Sequence, residues 1–182
     1  GTGMSDLGEL TIMPATGELK TGAGTQENHM AGYSSLYRKN KEFATTGYYK
    51  VHLERYNIDV ELTATERVGL HNYIFPDAEK SRIIIDLGEG SADRPTETYI
   101  KKVNDTLFEG HRFSTGWARD QREYFSLIIS KPVSDFIIYD RHKKFKGIER
   151  KGDYVKGFLE FSTDKDEKIM VKMGISTVSS KN

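Results

Sequence analysis

The residues of this chain that could do chemistry are few and scattered. The stretch VELTATERVGLH (Val60–His71) starts as strict alternation, with Val60, Leu62 and Ala64 set against Glu61, Thr63 and Thr65. It then puts Glu66 on the apolar side with Arg67 opposite. A carboxylate there has three readings. A bulge near Thr65 would return it to the polar side. An ion pair could satisfy it where it lies. Or it could face a cleft or another domain. The stretch reads as a strand that turns at Glu66–Gly69 toward an edge of the sandwich. Alone it cannot hydrolyse a glycoside by the usual route, which needs an acid and a second carboxylate across the bond. The histidines at 29, 52, 71, 111 and 142 form no short metal pair of the His-Glu-x-x-His kind, and His52 falls on the polar parity of a strand. DLGEGSAD (Asp86–Asp93) lacks the spacing and the terminal bidentate Glu of a calcium loop and reads as a polar turn. The glycines of GTGMSDLG have no strand before them and no helix after, so they fail as a dinucleotide fingerprint. Trp117, in FSTGWARDQREYF, is the only tryptophan. It could stack on a sugar ring or, as is commoner, plug a core or close a strand crossing. The basic run RHKKFK (Arg141–Lys146) reads as a solvated loop.

The elements that must position these residues have an apolar period of two almost everywhere. Leu10 with Ile12, Tyr49 with Val51 and Leu53, and Ile58 with Val60 and Leu62 each share a face, and RYN (Arg55–Asn57) is a turn between the last two runs. SRIIIDL (Ser81–Leu87) predicts a strand buried on both faces. Further runs from TYIKKV to EKIMVKMGIS continue the pattern, and together they predict a large antiparallel sandwich. PDAEKS (Pro76–Ser81) has room for one short helical turn at most. Leu19–Gly47, rich in Gly, Ser, Thr and Asn, is not strand-like. It is too long for a hairpin turn and reads as a crossover between the two sheets, or as a polar and aromatic loop meeting a sugar or a neighbouring domain.

With 182 residues, the chain can bury a core without staples. The 27 Lys and Arg balance the 27 Asp and Glu, so no general field favours nucleic acid or an anionic membrane. There is no cysteine, which removes thiolate catalysis, cysteine-bound zinc and disulfides together. No apolar run reaches the roughly 18 residues of a membrane helix. The first residues lack the basic start and apolar stretch of a signal peptide. A chain that begins and ends inside patterned sequence reads as a piece of a longer one.

Four stretches occur in a telling order: GTGMSDLGELTIMPATG, then TTGYYKVHLERYNIDVELTATERVGLHNYIFP with IIIDL after it, then FSTGWARDQREYFSLIISKPV, then VKMGISTVS. Together they resemble the N-terminal sandwich domain of glycoside hydrolase family 92, the calcium-dependent exo-acting alpha-mannosidases. The likeness runs over essentially the whole chain. It implies an all-β fold, a large antiparallel supersandwich of the galactose-mutarotase-like kind, truncated at both ends. Residues 1–182 would be that single domain, with the C-terminal helical barrel absent. It also implies hydrolysis of terminal alpha-mannosides, most commonly alpha-1,2-linked, with inversion, in a cleft between the two domains.

In the family the acid Glu, the base Asp and most calcium contacts belong to the barrel. The resemblance therefore implies no catalytic residue, no metal ligand and no bound calcium here. The candidates for the substrate cleft or domain interface are Gly3 and Asp6 of the GTGMSD loop, Glu66, Arg67, His71 and Trp117. The partners implied are alpha-mannosides and the helical domain, with neither nucleic acid nor membrane, and the parent would be a periplasmic or secreted bacterial protein. Sheet edges opened by absent strands favour edge-to-edge self-association. Two other readings stand. A free-standing carbohydrate-binding module needs an exposed aromatic platform on one sheet face, with Trp117 or several tyrosines coplanar. A structural or adhesion-type sandwich needs a contiguous apolar patch.

Overall fold

The structure, a computed structural model, describes residues 10–25, 27–90 and 93–181. The period-two runs form two sheets. The smaller has the order β1 (Thr11–Thr16), β6 (Ala78–Asp86), β13 (Val155–Thr163), β10 (Asp135–Asp140), β11 (Lys143–Phe145). The larger has the order β12 (Glu149–Gly152), β7 (Arg94–Lys102), β8 (Leu107–Thr115), β9 (Gln121–Ile129), β14 (Glu167–Ser176), β5 (Val68–Phe75), β4 (Ile58–Ala64), β3 (Tyr48–Leu53), β2 (Glu42–Thr45). All neighbouring strands are antiparallel.

Alternation places the core between the sheets. Ile58, Val60, Tyr73, Phe75, Phe125, Leu127, Ile169 and Val171 line the inner face of the nine-stranded sheet and are buried. They meet the face of the small sheet that carries Ile83, Ile85, Leu159 and Phe161. Phe75 packs edge-on to Phe161 with ring centroids 5.6 Å apart, and Phe108 meets Phe136 at 5.2 Å.

The other face of the small sheet is sealed as well. Arg82, Ile84, Asp86, Lys156 and Phe158 are all buried. The crossover from β1 to β2 lies over it: Arg82 donates to the carbonyls of Gly17 and Glu18, and the Tyr33 hydroxyl donates to Asp86 at 2.8 Å. Arg55, from the β3–β4 turn, holds this crossover through the carbonyls of Met30, Gly32 and Ser34. β6 is thus buried on both faces, as SRIIIDL predicts.

PDAEKS holds no helical turn, within the expectation of one at most: Pro76–Asp77 is the turn, and from Ala78 the chain is β6, where Thr163 of β13 pairs with Ala78. Two other readings of the sequence change. The Leu19–Gly47 segment is a crossover between sheets, but its last part is the strand β2, which turns at Gly47 with φ of 75°. The basic run is more than a loop, since Lys143–Phe145 pairs with β10 as β11. The Phe145 ring, covered at 3.7 Å by the Arg150 guanidinium, anchors that short strand.

Antiparallel registers send the turns to two ends. The β4–β5, β6–β7 and β8–β9 connections and the exit of β14 share one end. The β3–β4, β5–β6 and β13–β14 turns share the other.

Candidate functional site

The break in alternation at Glu66 is a strand end. The last paired residues are Ala64 and Gly69, and the Thr65 amide donates to the Val68 carbonyl at 2.9 Å. Glu66 and Arg67 are the exposed tip of a two-residue hairpin. Neither side chain pairs with another described residue, so the bulge and the local ion pair both fall away. The Arg67 carbonyl accepts from the Ile175 amide at 2.9 Å, which locks this tip against the exit of β14.

Between that tip and the start of β9 runs a groove of about 250 Å³, lined by Arg67, Gln121, Arg122, Glu123 and Ile175–Thr177. The β8–β9 hairpin rises beside it. Its tip is tightened by the Gly116 amide donating to the Ala118 carbonyl at 2.9 Å, and it carries Trp117 with 77% of its surface exposed. The core-plug reading of Trp117 is therefore excluded. Arg122 donates to Asp120 at 3.2 Å and lies 5.5 Å from the Phe113 ring.

The neighbouring β6–β7 loop is pinned by two buried charge pairs. Asp86 accepts from Lys156 Nζ at 2.7 Å, from Tyr33, and from the amides of Gly88 and Glu89. Burial, then the Asp86 carboxylate, push the Tyr33 hydroxyl up, so it stays a donor. Arg112, fully buried, donates to the Leu87 carbonyl at 2.9 Å and to both oxygens of Asp93. Burial alone would raise the Asp93 carboxyl, but hydrogen bonds led by the Arg112 guanidinium outweigh it and hold it below the usual range. These two carboxylates are spent on Lys156 and Arg112. Among the described residues no group of three or more His, Asp or Glu stands together so that it could hold a metal ion.

The structure separates His71 from the groove. It points inward from β5 with Nδ1 2.6 Å from the Tyr73 hydroxyl, and burial holds its imidazole below the ordinary value. Gly3 and Asp6 lie outside the described residues.

One cluster escaped the sequence reading. On the outer face of the nine-stranded sheet, His111 stacks on Phe113 at 4.3 Å and 16°, and on Tyr99 at 5.3 Å and 28°, with Tyr124 edge-on to both His111 and Phe113. At these separations the rings stand face to face and cover each other. They leave edges outward, whereas a sugar needs a free face. Trp117 supplies one. The only signal was aromatic residues on the polar parity of β8.

The model of the glycosyl hydrolase family 92 N-terminal domain matches residues 1–176. No curated protein matches the chain at a significant level. Among solved structures, a family GH92 alpha-mannosidase from Bacteroides thetaiotaomicron is 30% identical, with a TM-score of 0.95 free and 0.94 in complex with mannoimidazole. The match covers 100% of this chain and 25% of that enzyme. A family GH92 inverting mannosidase from the same organism is 23% identical over 94% of this chain and 22% of its own, with a TM-score of 0.77, which speaks for the fold alone. The chain spans about a quarter of the length of these enzymes.

Proposed function

Because the chain belongs to the glycosyl hydrolase family 92 N-terminal domain family, we propose that it is the non-catalytic sandwich of an exo-acting, inverting alpha-mannosidase with alpha-1,2-linked substrates. Its Arg67–Trp117 end forms one wall of the carbohydrate cleft between domains. The observation that carries this reading is an unpaired guanidinium, Arg67, and an exposed tryptophan, Trp117, on turns at the same end of the nine-stranded sheet, where β14 exits. A guanidinium donates to sugar hydroxyls, and an aromatic face packs against the apolar CH side of a pyranose. An inverting glycosidase needs two carboxylates roughly 6.5–9.5 Å apart with water between base and sugar. Glu66 stands alone, and Asp86 and Asp93 are tied up. We assign the acid, the base and the calcium to the rest of the longer protein, as the family resemblance implies. We place that protein in the periplasm or outside a bacterial cell.

The test is hydrolysis of alpha-1,2-mannobiose with calcium present. The longer protein should release inverted mannose, and this chain alone should release none. Trp117→Ala in the longer protein should raise KM severalfold. Failure of the longer protein on every alpha-mannoside, or hydrolysis by this chain alone, overturns the proposal. The exposed Trp117 also suits a free-standing carbohydrate-binding module. Sub-millimolar binding of mannose oligosaccharides to this chain in calorimetry would favour that second reading.

A further inference from the structure

The basic run Arg141–Lys146 has no part in the cleft. Arg141 is held by Asp153 at 3.2 Å, and Lys143 lies 5.4 Å from the Phe145 ring. Lys144 and Lys146 are exposed and make no ion pair with a described residue. They flank a gap in the small sheet. The last pair of β11 is Phe145 with Ile138, yet β10 starts at Asp135. Asp135, Phe136 and Ile137 therefore pair with β13 on one side and with no described strand on the other. There the chain leaves the small sheet and crosses through Lys146–Ile148 to β12 of the large one. A slot of about 460 Å³ opens between Asp135–Ile137 and Lys144–Ile148, with Lys102 on its wall. Ile148 is 59% exposed, and its carbonyl accepts from the Lys102 amide at 2.7 Å.

We propose that this slot binds an extended acidic peptide segment of a partner protein, which adds to β10 as the continuation of β11. The bare edge asks for an extended chain, because a strand added there gains main-chain hydrogen bonds. The Phe136 amide, in the middle of that edge, donates at 2.8 Å to the carboxylate of its neighbour Asp135, a local bond that an incoming carbonyl can replace. Charge selects the partner. Asp135 is the one acidic group on the slot, Lys102 is matched by Asp105 at 2.7 Å, and Lys144 and Lys146 are left over. The lysines that repel a second basic edge favour an acidic one. Alternation adds a pattern, since successive side chains of a strand point to opposite faces. One set would lie over Phe136, which turns toward the large sheet to meet Phe108. The other would lie on the side of Lys144, whose partner Tyr139 packs on Phe158 at the opposite face. The fitting segment thus alternates apolar and acidic residues. The slot lies at the end away from the β8–β9 turn, so the proposal does not rest on the sugar reading.

The probe is a fluorescein-labelled peptide of sequence EVDVEVD, followed by anisotropy with this chain and with the longer protein. Both should bind it saturably. Lys144→Glu combined with Lys146→Glu, two exposed changes, should weaken binding at least tenfold with the circular dichroism spectrum unchanged. Methylating alternate peptide nitrogens, which keeps the charge and removes edge donors, should weaken it as much. Amide shifts in nitrogen-15 spectra of this chain should gather at Asp135–Ile137 and Lys144–Ile148. Binding that methylation leaves intact, or that polygalacturonate reproduces at equal charge, means that the slot reads charge alone and overturns the proposal. So does absence of binding at millimolar peptide. Binding by this chain but not by the longer protein overturns it too, because the slot would then be filled by the protein's own polypeptide. Mannoside hydrolysis enters none of these readouts, so a wrong substrate assignment would leave the result standing.

Discussion

At the scale of single residues, burial separates the side chains that hold the fold from those free to act outside it. Asp86 has no exposed surface, and removing its carboxylate strands Lys156 in the interior. Asp86→Ala should cost about 3–5 kcal/mol in urea unfolding, the range for breaking a buried pair. Trp117→Ala should change stability by less than about 0.5 kcal/mol, since its ring touches little. His71 gives a pH signature. Its pKa is depressed in the folded chain, so below the ordinary value of about 6.5 the unfolded chain binds the extra proton. The stability it contributes is whole above that pH and falls as pH drops toward the folded pKa. His71→Gln should flatten the curve of unfolding free energy below about pH 6.5. Asp93, depressed in its turn, holds its contribution above about pH 4 and loses it below. Sequence alone read a turn at Glu66–Gly69 but not its bounds, because Val68 and Gly69 prove to belong to β5 only once the partner strand is known. Arg82 and Arg112 were invisible as buried groups, since their partners Glu160 and Asp93 are brought near only by the sheets.

At the scale of elements, period two was enough to find the long strands and the turn at Asn57, whose φ is 51°. β2, β11 and β12 escaped because runs of three or four residues are too few to show a period, and glycines and lysines in or beside them mask it. Where two strands and a ring crowd one position, glycine is forced. A Cβ at Gly110 would lie 2.1 Å from the Tyr99 carbonyl and 2.7 Å from the Phe125 ring. Neither can yield without moving the ladder, so Gly110→Ala should destabilise by about 3 kcal/mol, at the upper end of overpacking costs. Gly174→Ala, above open space, should be neutral within about 0.5 kcal/mol in this chain by the same unfolding assay.

At the scale of the molecule, each sheet has one face turned to the common core. The small sheet's second face is sealed by the crossover, while the large sheet's second face keeps half-exposed apolar side chains. The edges are guarded unequally. β1 carries Pro14 and β11 is short and basic, whereas β2 offers Phe43 at 58% exposure. Self-association of this chain should therefore run through β2, and Phe43→Lys should return it to a monomer in sedimentation velocity. A dimer that survives that change would place the contact elsewhere.

The pairing of β6 with β13 also has a timetable. The two are separated by about 80 residues, which a ribosome adding 5–20 residues per second takes roughly 4–16 s to supply. Throughout that interval Ile83, Ile84 and Ile85 have emerged without the neighbour that will enclose them on one edge. Production of this domain should thus depend on how quickly the stretch up to Thr163 is translated. Slow codons placed between β6 and β13 should drive the nascent chain into inclusion bodies, and the same codons placed after β14 should leave the soluble yield intact.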